Sequence, residues 1–419
     1  MARILVVKHL FPYPPSQGTR RVSLALLEDL AARHEVIFLC QLEHRHERAL
    51  IPQIERLGVR VVAPLMPNHR SALARTWYKA QNIALARLRR LPEVCLYWSN
   101  QALRSNQKRL NREFDPDLTI LESWETFLLR PAVRRGLTAL LAHDAGFQII
   151  ERAVGATQEP RLRTRLRARL LRDKRLETEA WRLYDAILTL TESDRETIAR
   201  ELGREEPGGP GPLVRLLPVP VAAAFFDYGR PAEPDCRVGF LANFRADFNR
   251  DALAFLLDEV WPRVLARLPA AQLIIAGNGY RGPLLASALR RGARWLGMVE
   301  DLRTFFEAID LLVVPLRFGG GVRIRILEAF AAGVPVVATP VAVAGLNIIA
   351  GDHLLLGSDA DALATQIAWA GEHPEEAAGL GRRAREWCTQ HHAPGTLRGP
   401  RLAVIDEILA LRPPRSRQG

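Results

Sequence analysis

Short, almost wholly apolar runs, each followed by a turn and then a helical pattern, recur along the chain, and the series starts over near its middle. In the first half the runs are 3–7, 35–39, 59–62, 118–121, 137–142, 186–189 and 214–217. In the second half they are 237–241, 272–276, 294–296, 311–314 and 335–338. Strands that lack polar alternation are covered on both faces, which calls for parallel sheets with helices on either side. The fold class expected is therefore α/β. Helical patterns fill the gaps, among them 19–33, a long one from 148 towards 182, and the terminal region 360–411. The helix after Asn249 carries Leu253, Leu256, Leu257 and Val260 on one face.

A length of 419 residues accommodates two such domains. The Gly- and Pro-rich segment 205–212 precedes the last apolar run of the first half, so it reads as an insertion. Segment 218–234, which holds four prolines, reads as the interdomain link. The division expected is 1–218, 219–395, and a C-terminal helix with a frayed tail over 396–419.

In doubly wound sheets, ligands bind beyond the carboxyl ends of the strands. The most informative residues after a strand are Gly319-Gly320-Gly321-Val322-Arg323-Ile324-Arg325-Ile326-Leu327-Glu328-Ala329, followed by Phe330-Ala331-Ala332-Gly333-Val334-Pro335-Val336-Val337. Gly320, Gly321 and their neighbours allow backbone N–H groups to approach a ligand closely. A helix starting near Val322 aims its positive end at that ligand. Arg323 and Arg325 add full charge, and Glu328, about one turn in, can accept hydrogen bonds from hydroxyls. The pattern suits a phosphate-bearing, hydroxyl-rich ligand such as a nucleotide sugar.

This stretch resembles the donor-binding motif of family 4 glycosyltransferases of the GT-B fold, in the subgroup reading Gly-Gly-x-Arg-x-Lys-x-Leu-Glu-Ala. Two departures stand out. Arg325 occupies the usual Lys position, which keeps the charge but changes its geometry. Gly320 occupies the position of the first Glu of the wider family's Glu-x7-Glu pair, so no role is carried over for that carboxylate. The resemblance implies two facing Rossmann-like domains, a C-terminal helix crossing back to the first, and retention of anomeric configuration. It also implies that Glu328 holds the ribose hydroxyls of a nucleoside-diphosphate sugar.

Further candidates follow other strands. After 3–7 comes a Pro-rich loop in which Gly18 opens a helix bearing Arg20 and Arg21. A helix N-terminus suits an anion, and the family's glycine loop lies against donor phosphates and acceptor. After 137–142 comes His143-Asp144. An imidazole can hold a sugar hydroxyl or share a proton near neutral pH, and the resemblance places such a His beside the reacting carbon. Asp144 equally suits a helix N-cap. Glu122, after 118–121, is a candidate for an acceptor hydroxyl or a first-turn helix carboxylate. In the second half, Arg245 is the candidate for the diphosphate. Gly277 resembles the family's Gly-x-Gly turn, and the resemblance implies that the segment beginning at Gly297 reads the base through its backbone. Loops 41–46 and 64–73 are the expected acceptor loops.

The formal charge of +12 points to anionic partners. Part of it lies in Arg161, Arg163, Arg165, Arg167, Arg169, Arg172, Lys174 and Arg175, with Leu162, Leu166 and Leu170 at i, i+4, i+8. That is a basic amphipathic helix, suited to an anionic membrane surface or to packing on its own domain. No aromatic platform accompanies it, so nucleic acid is not an expected partner. Residues 329–351 carry no charge, but Gly333, Pro335, Pro340, Gly345 and Asn347 read as helix, strand and loop rather than a membrane span. Cys40, Cys95, Cys236 and Cys388 form no paired motif, in keeping with a reduced cytoplasmic compartment.

The function expected is transfer of a sugar from a nucleoside diphosphate to a glycan, lipid-linked or small-molecule acceptor in bacterial surface or exopolysaccharide synthesis. The competing readings are a sugar-nucleotide epimerase or hydrolase and a non-catalytic assembly partner. No cofactor is expected beyond the donor. No metal is expected either, because no Asp-x-Asp triplet stands beside the glycine loop and Arg323, Arg325 and a helix end can stabilise the leaving diphosphate.

Overall fold

The computed structural model describes residues 1–15, 18–66, 72–133, 136–157, 159–203, 211–228, 235–278, 282–299, 301–319 and 324–411. The first half forms a parallel sheet of seven strands: β1 (Arg3–Val7), β2 (Glu35–Leu39), β3 (Val59–Val62), β4 (Leu118–Glu122), β5 (Leu137–Ala142), β6 (Ala186–Thr189) and β7 (Leu213–Leu216), in the order β3-β2-β1-β4-β5-β6-β7. The second half forms a parallel sheet of β8 (Arg237–Asn243), β9 (Gln272–Asn278), β10 (Arg294–Gly297), β11 (Leu311–Val314), β12 (Val336–Ala338) and β13 (Leu355–Leu356), in the order β10-β9-β8-β11-β12-β13. Each sheet reverses direction of winding once, between β1 and β4 in the first and between β8 and β11 in the second. Those two switch points are where crevices for ligands open.

The apolar runs become strands because both of their faces are covered. Ile4 and Val6 pack in one core of the first domain, and Leu5 and Val7 in the other. The second domain has one large core, in which Leu253, Leu256, Leu257 and Val260 are wholly buried as the helical periodicity predicts. The edge strand β13 was not among the expected runs: Leu355 and Leu356 are too short to stand out and are only half-buried.

The long helix expected from 148 towards 182 is two helices, Gly146–Ala156 and Pro160–Trp181. Pro160 explains the break: it has no N–H to continue a helix, but it suits a first helical turn.

The C-terminal region crosses between domains as expected. Helices Ala360–Glu372 and Pro374–His392 belong to the second domain, and helix Pro394–Leu409 docks on the first. Ile405 and Ile408 join the first domain's core. Arg401 Nε donates to Asp29 at 2.5 Å, and its Nη1 donates to the Pro218 carbonyl at 2.6 Å. The connecting strand of chain is held too, since Val221 N–H donates to the His392 carbonyl at 2.8 Å. The expected 218–234 link begins at this clamp, and its stretch 229–234 lies outside the described residues, as do the expected insertion 204–210 and the tail 412–419. No helix among the described residues is long and apolar enough to cross a membrane.

Candidate active site

A cleft of about 280 Å³ lies between the carboxyl ends of the two sheets. Its first-domain wall is Gly18, Thr19, Arg21, Val22, His143, Asp144 and Leu190. Ala242, Asn243, Asn249, Gly277, Asn278, Met298, Val299, Arg325 and Glu328 are among the residues of its second-domain wall. The strand order produces this convergence: helix Gly18–Ala31 follows β1, His143 follows β5, and helix Ile324–Ala331 follows β11.

Six of the expected site residues line the cleft: Gly18, His143, Asp144, Gly277, Arg325 and Glu328. Two glycines have steric reasons. A Cβ on Gly18 would lie 3.1 Å from Ile324 Cδ1 of the opposite domain, and one on Gly277 (φ +150°) would lie 1.9 Å from the Ala242 carbonyl oxygen. Arg325 is half-buried at the base of the second-domain wall. Its guanidinium donates to the Leu241 carbonyl and, at 3.0 Å, to Asn249 Oδ1. Asn249 is itself buried and donates to the Asn243 carbonyl at 2.8 Å.

Glu328 is almost fully buried and forms an ion pair across the cleft with Arg21 of the first domain. Arg21 also donates through Nε to the Pro15 carbonyl at 2.7 Å and sits 5.7 Å from the Phe225 ring. Burial lowers the Arg21 pKa to about 10, which still leaves it charged at neutral pH. Arg152 adds another contact between domains, donating to the Gly319 carbonyl.

The remaining expectations fall elsewhere. Gly320, Gly321, Val322 and Arg323 lie outside the described residues. Arg245 is exposed and Gly297 turns at φ +70° at the end of β10, and neither is in the cleft wall. Their neighbours Asn243, Ala246, Met298 and Val299 are. Glu122 is also placed differently from the acceptor role expected of it. It is wholly buried beneath His143 rather than in the cleft, because the parallel sheet continues through the last residue of β4.

Glu122 Oε2 is the hub of a buried polar cluster. Lys8 Nζ lies 2.6 Å from it, Ser23 Oγ 2.7 Å and His143 Nε2 3.1 Å. Lys8 Nζ also reaches Ser23 Oγ at 2.7 Å and the Thr19 carbonyl at 3.2 Å. Burial opposes the charge on Glu122, but Lys8 and the His143 hydrogen bond outweigh it and bring the carboxyl pKa down to about 2. Burial lowers the His143 pKa, against the pull of Glu122. Beside Lys8, His9 stacks on Trp98 with ring centroids 3.6 Å apart.

Sequence reasoning assigned no role to Lys8 or Asn249 and did not single out Arg21 from its loop. Lys8 carried one usable signal, since it directly follows the first strand of a doubly wound domain.

Two facing, doubly wound parallel domains with a C-terminal helix returning to the first define the GT-B architecture. Residues 235–372 match the family model described as glycosyl transferases group 1. Over 141 residues, 31% of its length, the chain is 33% identical to a GDP-mannose-dependent monoacylated alpha-(1-6)-phosphatidylinositol monomannoside mannosyltransferase of Corynebacterium glutamicum. Over 99 residues, 23% of its length, it is 37% identical to a phosphatidyl-myo-inositol mannosyltransferase of Mycobacterium tuberculosis. These matches span 37% and 26% of the two relatives. The fold is similar along nearly the whole chain to an Anabaena protein, HepE, solved with UDP and glucose: TM-score 0.63, 15% identity, 97% of this chain and 100% of that one. A sucrose-phosphate synthase from Thermosynechococcus elongatus gives TM-score 0.68, 16% identity and coverage of 98% and 100%.

Proposed function

We propose that the protein is a glycosyltransferase that takes its sugar from a nucleoside-diphosphate donor bound mainly by the second domain. The observation that carries the reading is a single cleft in which Arg325 and Glu328, within the matched region 235–372, face His143 of the other domain. The GDP-mannose-dependent relative and the HepE neighbour solved with UDP support a nucleotide sugar as donor.

In this reading Arg325, braced by Asn249, and Arg323 stabilise the charge that builds on the departing diphosphate. The glycines around Gly320 and Gly321 and the backbone near Val322 receive the phosphates, and Glu328 holds the ribose hydroxyls. To do so Glu328 exchanges its Arg21 partner for the donor, and the domains hinge about the clamped link at Pro218. Gly18 and Gly277 keep the phosphate region open. The 297–299 segment lies against the base, and Arg245 attracts the donor from outside the cleft wall. His143 and Asp144 sit at the sugar and acceptor side. Reaction without a divalent metal and with retention belongs to the same proposal, as does synthesis of a bacterial surface glycan.

Membrane docking is part of it too. Along 161–172 of helix Pro160–Trp181 no residue is buried, and Leu162 and Leu171 are 42% and 74% exposed among the arginines. This face suits the anionic inner leaflet and a lipid-linked acceptor.

The test is thermal unfolding with UDP, GDP, ADP, TDP and CMP in EDTA, with Glu328→Ala as control. A ligand at ~100 times its Kd stabilises by about 2.7 kcal/mol. One nucleotide is expected to raise the Tm of the wild type and to do so less in the variant. Flat curves with every nucleotide overturn the donor assignment. Flotation with phosphatidylglycerol vesicles tests the helix: binding should fall when Arg161, Arg165 and Arg169 become Gln, and failure of the wild type to float rejects docking.

A further inference from the structure

The buried cluster under His143 has more organisation than a fold-stabilising ion pair requires. Lys8 and Ser23 come from the first strand-to-helix unit, Glu122 from β4 and His143 from the end of β5, and all meet at one carboxylate oxygen. Lys8 already balances the charge of Glu122 at 2.6 Å. A protonated His143 would be a third buried charge without a counterion, which the surroundings disfavour. A neutral imidazole has one N–H, and beside a carboxylate that N–H belongs on the nitrogen facing it. That nitrogen is Nε2, 3.1 Å from Glu122 Oε2, while Nδ1 is buried with no hydrogen-bond partner among the described residues and needs the cleft to open before a ligand reaches it. His143 belongs to the wall of the cleft.

We infer that Lys8 and Glu122 are a positioning pair that fixes His143 as the Nε2–H tautomer and so reserves Nδ1 as a hydrogen-bond acceptor for a hydroxyl of the bound sugar. Glu122 therefore acts through His143 and does not itself touch a substrate. Lys8 keeps Glu122 ionised, and Ser23 restrains the carboxylate from the side. The ligand half of this inference rests on the glycosyltransferase reading; the tautomer half does not.

The full-length protein labelled with ¹⁵N-histidine, with His143→Gln used for assignment, reports the tautomer directly by long-range proton–nitrogen correlation at neutral pH. The expected result is a single Nε2–H form for His143 in the wild type. In the double variant Lys8→Met/Glu122→Leu, which replaces the ion pair by apolar groups, the two nitrogen shifts should move towards the averaged values of a free imidazole. Circular dichroism confirms that the double variant is folded. Should it not fold, the wild-type spectrum still decides. An Nδ1–H form in the wild type, or nitrogen shifts unchanged in a folded double variant, overturns the inference. Whichever of UDP-glucose and GDP-mannose the wild type consumes provides the second readout. The double variant should lower kcat by roughly tenfold or more with little change in KM, and equal kcat in the two proteins overturns the role of Nδ1. Turnover of neither donor by the wild type counts against the proposed function and leaves the tautomer result standing.

Discussion

Replacing Arg401 by Met tests how the C-terminal helix is held and how firmly the interdomain link is anchored. Arg401 is buried, with its Nε 2.5 Å from Asp29 and its Nη1 2.6 Å from the Pro218 carbonyl. Methionine fills much of the same space, so the main loss is the charge partner rather than volume. Breaking a buried pair from one side typically costs about 3–5 kcal/mol, because the other charge stays behind. Here Asp29 keeps a weaker partner, since Arg398 Nε lies 3.3 Å from it with a side chain 43% exposed. That should reduce the loss to about 2–4 kcal/mol, or roughly 4–16 °C in Tm for a domain of this size. Calorimetry of the wild type, Arg401→Met, Asp29→Asn and the double variant gives the coupling energy as well as the single losses. Arg33→Met is the internal control: its pair with Asp406 at 3.0 Å joins side chains that are 52% and 44% exposed, and it should cost less than about 1 kcal/mol. If Arg401→Met costs no more than Arg33→Met, the buried pair does not hold the helix, and the apolar contacts of Ile405 and Ile408 carry the docking instead.

Three further outcomes follow from the same structure. Gly277→Ala should destabilise the second domain by about 1–3 kcal/mol or more, since its Cβ would meet the Ala242 carbonyl oxygen; an unchanged urea midpoint contradicts the packing of that turn. Arg21→Ala removes the ion pair across the cleft, so small-angle scattering should show a larger radius of gyration, and an identical curve means that closure does not depend on it. Burial, with Asp144 and Asp173 adding repulsion, raises the Glu125 carboxyl to about 8. Its folded pKa exceeds its unfolded value of about 4.5, so the folded state holds the proton longer, and stability falls as pH rises from about 4.5 to about 8. Glu125→Gln should flatten that fall, and parallel pH profiles of wild type and variant would show that Glu125 ionises normally.

The second sheet shows how far apolar runs carry. Five of its six strands begin within a residue of the positions expected from sequence, whereas β13 has only Leu355 and Leu356 and exists because β12 offers it an edge. The helix break at Pro160 was also legible in principle, as proline excludes itself from a continuing helix while accepting a first turn. Glu122 illustrates the opposite limit. Its position after an apolar run marked it as a site residue, but whether a carboxylate at a strand end faces solvent or the interior depends on what the neighbouring elements bring beneath it.

The sequence by itself determined the doubly wound α/β pattern and much of the cleft wall, including Gly18, His143, Gly277, Arg325 and Glu328, whereas the crossing of the C-terminal helix was implied only by the family resemblance. These follow from local properties: a buried parallel strand must be apolar on both faces, a close backbone approach needs glycine, and crevices open where such strands end. Only the tertiary structure decided the pairings. Lys8 meets Glu122 across 114 positions, and Arg401 meets Asp29 across 372; Arg21 meets Glu328 from the other domain. No local pattern encodes such contacts, because they depend on which strands become neighbours and how two separately wound sheets face one another. That arrangement turns Glu122 from an apparent ligand residue into the buried support of His143.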